Sequence, residues 1–560
     1  MKKSWIFLVL VMILLFAFPL LVACSSNNDI PANGNEEDPV NEDRPVELEF
    51  TLKADDTYEV SGHNNEGNMA IIPEEYNGKP VTSIGANAIG VNSEVNRHFS
   101  VVKSVTIPNT ITSIGARAFS DCELESLTIP DSVTSVGDFA LICRGLKNLK
   151  IGKGLTELGE HAIGSSSTLE SIIVDSENPK YSSNGNCFID IENKTLLVGC
   201  KSSTIPNDGS VTKIGVLAFS GCEQLTSITI PNTITEIGGD AFVNAGLTSI
   251  TIPNSVVRIG DGAFGQCEDL TSVSIGSGTT FINSYAFYNS KKIANITIDS
   301  GNTVYSSSGN CIIKTATKEL LIAFNSSTIP DDGTVTNINE YAFVCCDKIT
   351  KIVVPSSIHV ISNGLFRNCE LLEEIELPGV TQIGNNAFAN LKNLRSVSIS
   401  SDIEFVSDTA FNGCDNLQYY EYENAYYLGN ADNNYLVLYK AKSTSITSCT
   451  INSNVKIITD KAFMNCSSLS SIVIPSVITR ITESAFENCT SLERVTLPSS
   501  ITIIETRAFY GCSSLVRIDY NGTRSMYYNN IQKGQNYATG VNADCKVYCT
   551  DHPSGTALVA

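Results

Sequence analysis

The sequence predicts a repeat solenoid, a β-rich coil with a parallel sheet along one face. Three observations predict it. Residues 225–267, LTSITIPNTITEIGGDAFVNAGLTSITIPNSVVRIGDGAFGQC, state one pattern twice: L-x-x-I-x-I-P-x-x-V/I-x-x-I-G-x-x-A-F. The closing phenylalanines Phe242 and Phe264 stand 22 residues apart, and nearly everything from Ile84 to Cys512 is a copy of this unit or an insert between copies. One copy cannot bury its own apolar face, so copies must stack, at about 4.8 Å per turn in parallel pairing. A propeller needs a longer period, and a helical solenoid needs a 3.6-residue one.

Each part of the unit has a physical reason. Leu225, Ile228 and Ile230 face inward from a first strand, with Thr229 facing out between two of them. Pro231 cannot donate to a ladder and ends that strand. Ile234 and Ile237 make a second short extended segment, and Gly238 permits a tight bend. Ala241-Phe242 is expected to begin a short helical turn, the small Ala letting Phe pack inward.

In chain order, residues 1–23 read as an export signal: Lys2 and Lys3, then the apolar run from Trp5 to Val22. Leu21-Val22-Ala23-Cys24 has the form of a lipobox, which makes Cys24 the expected lipidation site. Residues 24–46 are polar, acidic and proline-broken, as a flexible tether would be. Residues 47–83 read as an N-terminal cap that opens with a hairpin, and residues 84–517 as the solenoid. Fifteen rungs are counted at the phenylalanine position, from Ile89 and Phe119 to Phe486 and Phe509, mostly spaced by 22 or 23. Long gaps after every fourth rung mark hairpin inserts near 175–203, 299–327 and 419–448. Residues 518–560 read as a C-terminal cap.

The chain has 18 cysteines, and nine of them sit three residues after the phenylalanine position: Cys122, Cys222, Cys267, Cys346, Cys369, Cys414, Cys466, Cys489 and Cys512. One repeat position makes one column, read as packed thiols that behave as small apolar residues. Disulfides between some rungs and metal binding are the alternatives. Cys545 and Cys549 lie outside the column and form a candidate pair.

IPNTITSIGARAF (107–119), IPSVITRITESAF (474–486) and their siblings resemble the BspA-type leucine-rich repeats of bacterial surface proteins. The resemblance covers about four fifths of the chain. It implies a leucine-rich-repeat right-handed superhelix with a parallel sheet on one face and a short strand plus helical turn per rung. It also implies an adhesin that binds host matrix proteins or other microbial surfaces. Residues 518–551 resemble a terminal segment of that family, but its usual tryptophan near Tyr527 is missing; the single Trp is Trp5.

Composition narrows function further. Lys plus Arg number 37 and Asp plus Glu 59, a net charge of -22, which repels phosphate backbones and anionic headgroups. Nucleic acid is therefore not an expected partner, and the membrane is reached only through lipid on Cys24. The histidines His63, His98, His161, His359 and His552 are scattered, and no nucleophile elbow, P-loop, zinc-protease or EF-hand pattern is present. No enzyme, cofactor or metal is expected. Binding is expected at two places. The outward column of the first strand is mostly Thr and Ser, so its departures Ile173, Val353, Glu376 and Val473 are candidate contacts. The third insert supplies Tyr420, Tyr422, Tyr426, Tyr427 and Tyr435, a residue type that gives large contact area at low entropy cost. The expected partner is a matrix-type extracellular protein or a surface glycan; an envelope-assembly role is a third reading. The expected location is the bacterial cell surface.

Overall fold

Most rungs lay down two short strands, and strands of successive rungs pair in parallel and in register; residues 225–230, expected as a first strand, form none, and the ladder of that face starts one rung later at Ser249–Ile252. On the first face Ser249–Ile252, Ser272–Ile275 and Asn295–Ile298 run side by side, with Ile250, Val273 and Ile296 aligned. Ile250 and Ile252 are buried while Ser249 and Thr251 face solvent, the period-two alternation of a one-sided sheet. On the second face Lys213–Ile214, Glu236–Ile237, Arg258–Ile259 and Phe281–Ile282 repeat the arrangement. The computed structural model describes residues 44–64, 67–90, 102–143, 145–164 and 167–558. The export signal, Cys24 and most of the tether lie outside the described residues, as does His98.

Threonines on the second face reach back one rung. The hydroxyls of Thr112, Thr235, Thr381 and Thr502 donate to the backbone carbonyls of Thr82, Thr212, His359 and Thr479 at 3.1–3.2 Å. Threonine therefore suits these positions by bonding as well as by β-propensity.

The Ala-Phe segment is not the helical turn expected. Arg117 and Asp121, two residues before and after Phe119, have φ of 55° and 62°. Left-handed residues at that spacing stop a right-handed helix before it completes a turn. Asn, Asp or Gly fills the later position at Asp121, Gly221, Asn244, Asn390, Asn465, Asn488 and Gly511. The amides split into two sets as a result. Ser120 and Cys122 close turns on Arg117 and Phe119, whereas Arg117, Phe119 and Asp121 donate to Asp138, Ala140 and Ile142 on the next rung. The turn is thus a third ladder along the solenoid.

Phenylalanines stack inside that ladder. Phe219, Phe242, Phe264 and Phe287 lie 4.9, 5.2 and 5.5 Å apart between ring centroids, with planes within 12° of parallel. Phe463, Phe486 and Phe509 repeat this at 5.2 and 5.5 Å. The inserts end the stacks and continue the coil. Each folds back as an antiparallel hairpin whose last strand pairs in parallel with the following rung: Thr195–Val198 with Lys213–Ile214, Glu319–Ile322 with Asn337–Ile338, and Val437–Ala441 with Ile457–Ile458. Phe324 and Tyr439 from two inserts meet Phe287 and Phe411 edge-on, at 6.1 and 5.7 Å.

One junction differs. Between the rungs closed by Phe343 and Phe366 no backbone–backbone hydrogen bond is formed among the described residues, whereas Asp240, Phe242 and Asn244 each donate to the rung of Phe264. The Phe343 and Phe366 rings are 4.8 Å apart but tilted by 46°. Side chains bridge the seam instead: Ser357 Oγ donates to the Val335 carbonyl at 2.7 Å.

Every described cysteine is buried. Several column thiols donate to the carbonyl of the phenylalanine one rung earlier: Cys267 to Phe242 at 3.1 Å, Cys414 to Phe388 at 2.9 Å, and Cys512 to Phe486 at 3.0 Å; Cys222 and Cys466 turn instead to the Gly199 and Ser443 carbonyls, both at 3.8 Å. Ser290 does the same for Phe264 at 2.6 Å. Cys545 and Cys549, the candidate pair, are free thiols. Burial pushes the thiols of Cys222, Cys267 and Cys369 up to about 12.

Both ends of the array are covered. Leu48–Leu52 and Tyr58–His63 form an antiparallel hairpin, and Lys79–Ile84 joins it in parallel to Ser113–Ile114. At the other end Lys546–Cys549 extends the first face and His552–Ala557 turns back across it.

Candidate functional site

The outward column of the first face is interrupted by the inserts, and its apolar members stand beside them. Ile173, Val353 and Val473 lie on the outermost strands Ser171–Val174, Lys351–Val353 and Ser471–Val473, with relative exposures of 53%, 49% and 62%. Exposed β-branched residues on edge strands are candidate contacts, although on Ser171–Val174 the Ile172 and Val174 amides already donate to Asn186 Oδ1 and Ser183 Oγ at 2.7 and 2.9 Å. Glu376 is half-buried and paired with Lys351 at 2.7 Å, so its charge is partly spent within the sheet. Gly429 takes the place beside Ser398, and Glu421 sits on Tyr420–Tyr422 of the third hairpin.

In that hairpin Tyr420–Tyr422 pairs antiparallel with Ala425–Leu428, which pairs antiparallel with Val437–Ala441. Alternation sends neighbouring tyrosines to opposite sides. Tyr427 is fully buried, and its hydroxyl accepts the Asn452 N–H at 3.1 Å. Tyr422 and Tyr435, both half-buried, meet it edge-on at 6.5 and 5.4 Å. Tyr427 therefore cannot touch a partner and leaves the set of candidate contacts; it is a core residue of the hairpin. Tyr420 is exposed and Tyr426 half-buried.

Tyr426 opens onto a cleft of about 710 Å³, which Tyr419, Tyr439, Lys440, Asn412 and Asp415 also line. Sequence reasoning did not single out Lys440 as a contact. The available signal was that the strand Val437–Ala441 docks as a rung, which places Tyr439 and its neighbour beside Phe411. Tyr419 stacks on Tyr439 at 5.6 Å, and Tyr426 lies 5.3 Å from Tyr419. Burial raises the Tyr419 and Tyr439 phenols, so both stay neutral at physiological pH. The Lys440 ammonium lies 5.2, 5.8 and 6.0 Å from the ring centroids of Tyr419, Tyr439 and Tyr426. Neighbouring lysines have carboxylate partners: Lys442 with Glu421 at 2.7 Å and Lys461 with Asp408 at 2.9 Å. Among the described residues no carboxylate pairs with Lys440.

Histidines are not gathered. His63 bonds the Ile89 carbonyl and His359 the Gly379 carbonyl, on distant rungs. Among the described residues no group of three or more His, Cys, Asp and Glu is placed to hold a metal, and no helix is long and apolar enough to cross a membrane.

A family model for the BspA type leucine rich repeat region, in six copies, matches residues 81–193, 190–314, 319–426 and 439–538. Among solved structures the chain is similar to a leucine rich cell surface protein from Faecalibacterium prausnitzii A2-165, at 24% identity over 90% of this chain and 98% of that one, with a TM-score of 0.26. It is similar to a leucine-rich repeat protein from Bacteroides ovatus ATCC 8483, at 22% identity over 90% and 98%, with a TM-score of 0.28. It is also similar to the pneumococcal vaccine antigen PcpA, at 15% identity over 90% and 97%, with a TM-score of 0.26. TM-scores this low carry no argument, so the weight rests on the repeat match. No curated protein matches the chain.

Proposed function

We propose, from the premise that this chain belongs to the BspA-type leucine-rich repeat family, that it is a cell-surface adhesion protein. The family is one of leucine-rich surface proteins, and its solenoid suits recognition and binding. The proposed ligand is a host matrix protein or another microbial surface macromolecule, bound along the first face. The observation that carries this reading is the exposure of Ile173, Val353 and Val473 on edge strands of a face otherwise rich in Thr and Ser. Lipid on Cys24 would hold the chain to the membrane, with residues 25–46 as the spacer. The role is binding rather than catalysis.

The test is saturable binding of purified protein to immobilised matrix proteins and to whole microbial cells. A Val353→Asp, Val473→Asp double variant is expected to lose most of that binding with its melting temperature unchanged. Failure to bind any matrix protein or cell surface would overturn the proposal.

A further inference from the structure

We propose that the cleft of the third insert binds a carboxylated sugar residue, with Lys440 taking the carboxylate and Tyr426 and Tyr419 meeting the ring. This rests on the recognition reading above and names a ligand class for one site within it.

The argument begins with the lysine. A cation held against three tyrosine rings is oriented before any ligand arrives, because the rings restrict where its flexible stem can place it. Its neighbours Lys442 and Lys461 are neutralised by Glu421 and Asp408, so the positive charge left for a ligand is that of Lys440. An anion is the group that completes it.

The rest of the cleft suits a sugar better than an acidic peptide. Tyr419 and Tyr426 lie 5.3 Å apart at 40°, a bent aromatic wall that the C–H face of a pyranose ring can cover. Asn412 and Asp415 line the same cleft and are exposed; Asp408 and Glu421, paired with Lys461 and Lys442, line it too. The amide both donates and accepts and the carboxylate accepts, which is what sugar hydroxyls require. Asp415 would repel a polyanionic peptide, whereas a single carboxylate per sugar can meet Lys440 while neutral hydroxyls meet Asp415. A volume of about 710 Å³ falls in the range of small-ligand sites.

In the first two inserts an asparagine ties the hairpin turn to its neighbours. Asn186 Nδ2 donates to Ser202 Oγ and to the Glu170 carbonyl, both at 2.7 Å, and Asn310 Nδ2 donates to Ser326 Oγ at 2.7 Å. In the third hairpin Asn424 Nδ2 donates to the Ser448 carbonyl at 2.7 Å, and tyrosines flank the turn.

The experiment is titration of purified protein with a glucuronate-containing tetrasaccharide and with the same tetrasaccharide reduced at its carboxyl groups. The acidic form is expected to bind, and the reduced form to bind at least about tenfold more weakly. Lys440→Ala is expected to remove the difference between the two, Lys440→Arg to keep it, and Tyr426→Ala to weaken both. Lys440 is exposed, so its variants should fold, and a thermal melt checks that. Equal binding of both sugars, an unaffected Lys440→Ala variant, or tighter binding of an oligoglutamate peptide would each overturn the assignment. Absence of sugar binding by the unmodified protein overturns it too, and matrix-protein adhesion measured on the same preparation reports separately on the wider reading.

Discussion

The Cys345 thiol donates to the Phe287 carbonyl at 3.1 Å, across 58 positions of sequence. An insert lies between them, so this thiol does over a longer reach what the column cysteines do for the rung before. Cys345→Ala should cost about 1 kcal/mol for the bond, with a further term for the lost sulfur volume. Cys345→Ser should recover part of it, since the Ser290 hydroxyl makes the equivalent bond to Phe264 at 2.6 Å. Urea midpoints of the two variants check the order.

Adjacent tyrosines should behave oppositely. Tyr427→Ala empties a buried site and is expected to destabilise by about 3–5 kcal/mol. Tyr427→Phe should lose only the bond from the Asn452 N–H, about 1 kcal/mol. Tyr426→Ala should change stability by less than about 1 kcal/mol while altering binding. Denaturant unfolding beside ligand titration separates the pair.

Asp240 sets a pH dependence. Burial, and then the neighbouring Asp261, raise its carboxyl to about 6 from the usual 3.8. A carboxyl raised in the folded state favours folding fully below the unfolded value, and that contribution is lost as pH rises from 3.8 through 6. At pH 7 the charged form is a net cost. Asp240→Asn should therefore be more stable than the parent at pH 7, by on the order of 1 kcal/mol, and indistinguishable near pH 3.5. Asparagine also tolerates the φ of 49° at this position. Urea unfolding at the two pH values is the check.

The buried thiols should be unreactive in the native state. Cys267, raised by burial to about 12, presents almost no thiolate at pH 8. A thiol reagent is expected to modify the column cysteines only after unfolding, at the unfolding rate. The same shift makes stability fall as pH climbs from the ordinary thiol value near 9 towards 12, because the unfolded chain ionises first. Timed labelling followed by peptide mass analysis reads the first effect.

The stacked core was legible because burial imposes a strict period: Ile237, Ile259 and Ile282 must align, and so must Phe242, Phe264 and Phe287. The turn was not, since Ala-Phe is compatible with a helix until the left-handed residues on either side are known. The column of cysteines was visible as a column, but its bonding was not, because a thiol's acceptor depends on the rung below. In the third insert the richness in tyrosine was plain, and strand alternation alone would have warned that Tyr426 and Tyr427 point apart. The cleft needed the hairpin's packing against the rung of Phe411, a long-range contact that no local pattern announces.

When the solenoid is pulled along its length, each ordinary junction spreads the tension over several parallel backbone bonds. The rungs of Phe343 and Phe366 share none, so tension there falls on packed rings and side-chain bridges such as Ser357 to Val335. Loaded this way the coil has a built-in yield point, and the runs on either side can part before either one unravels.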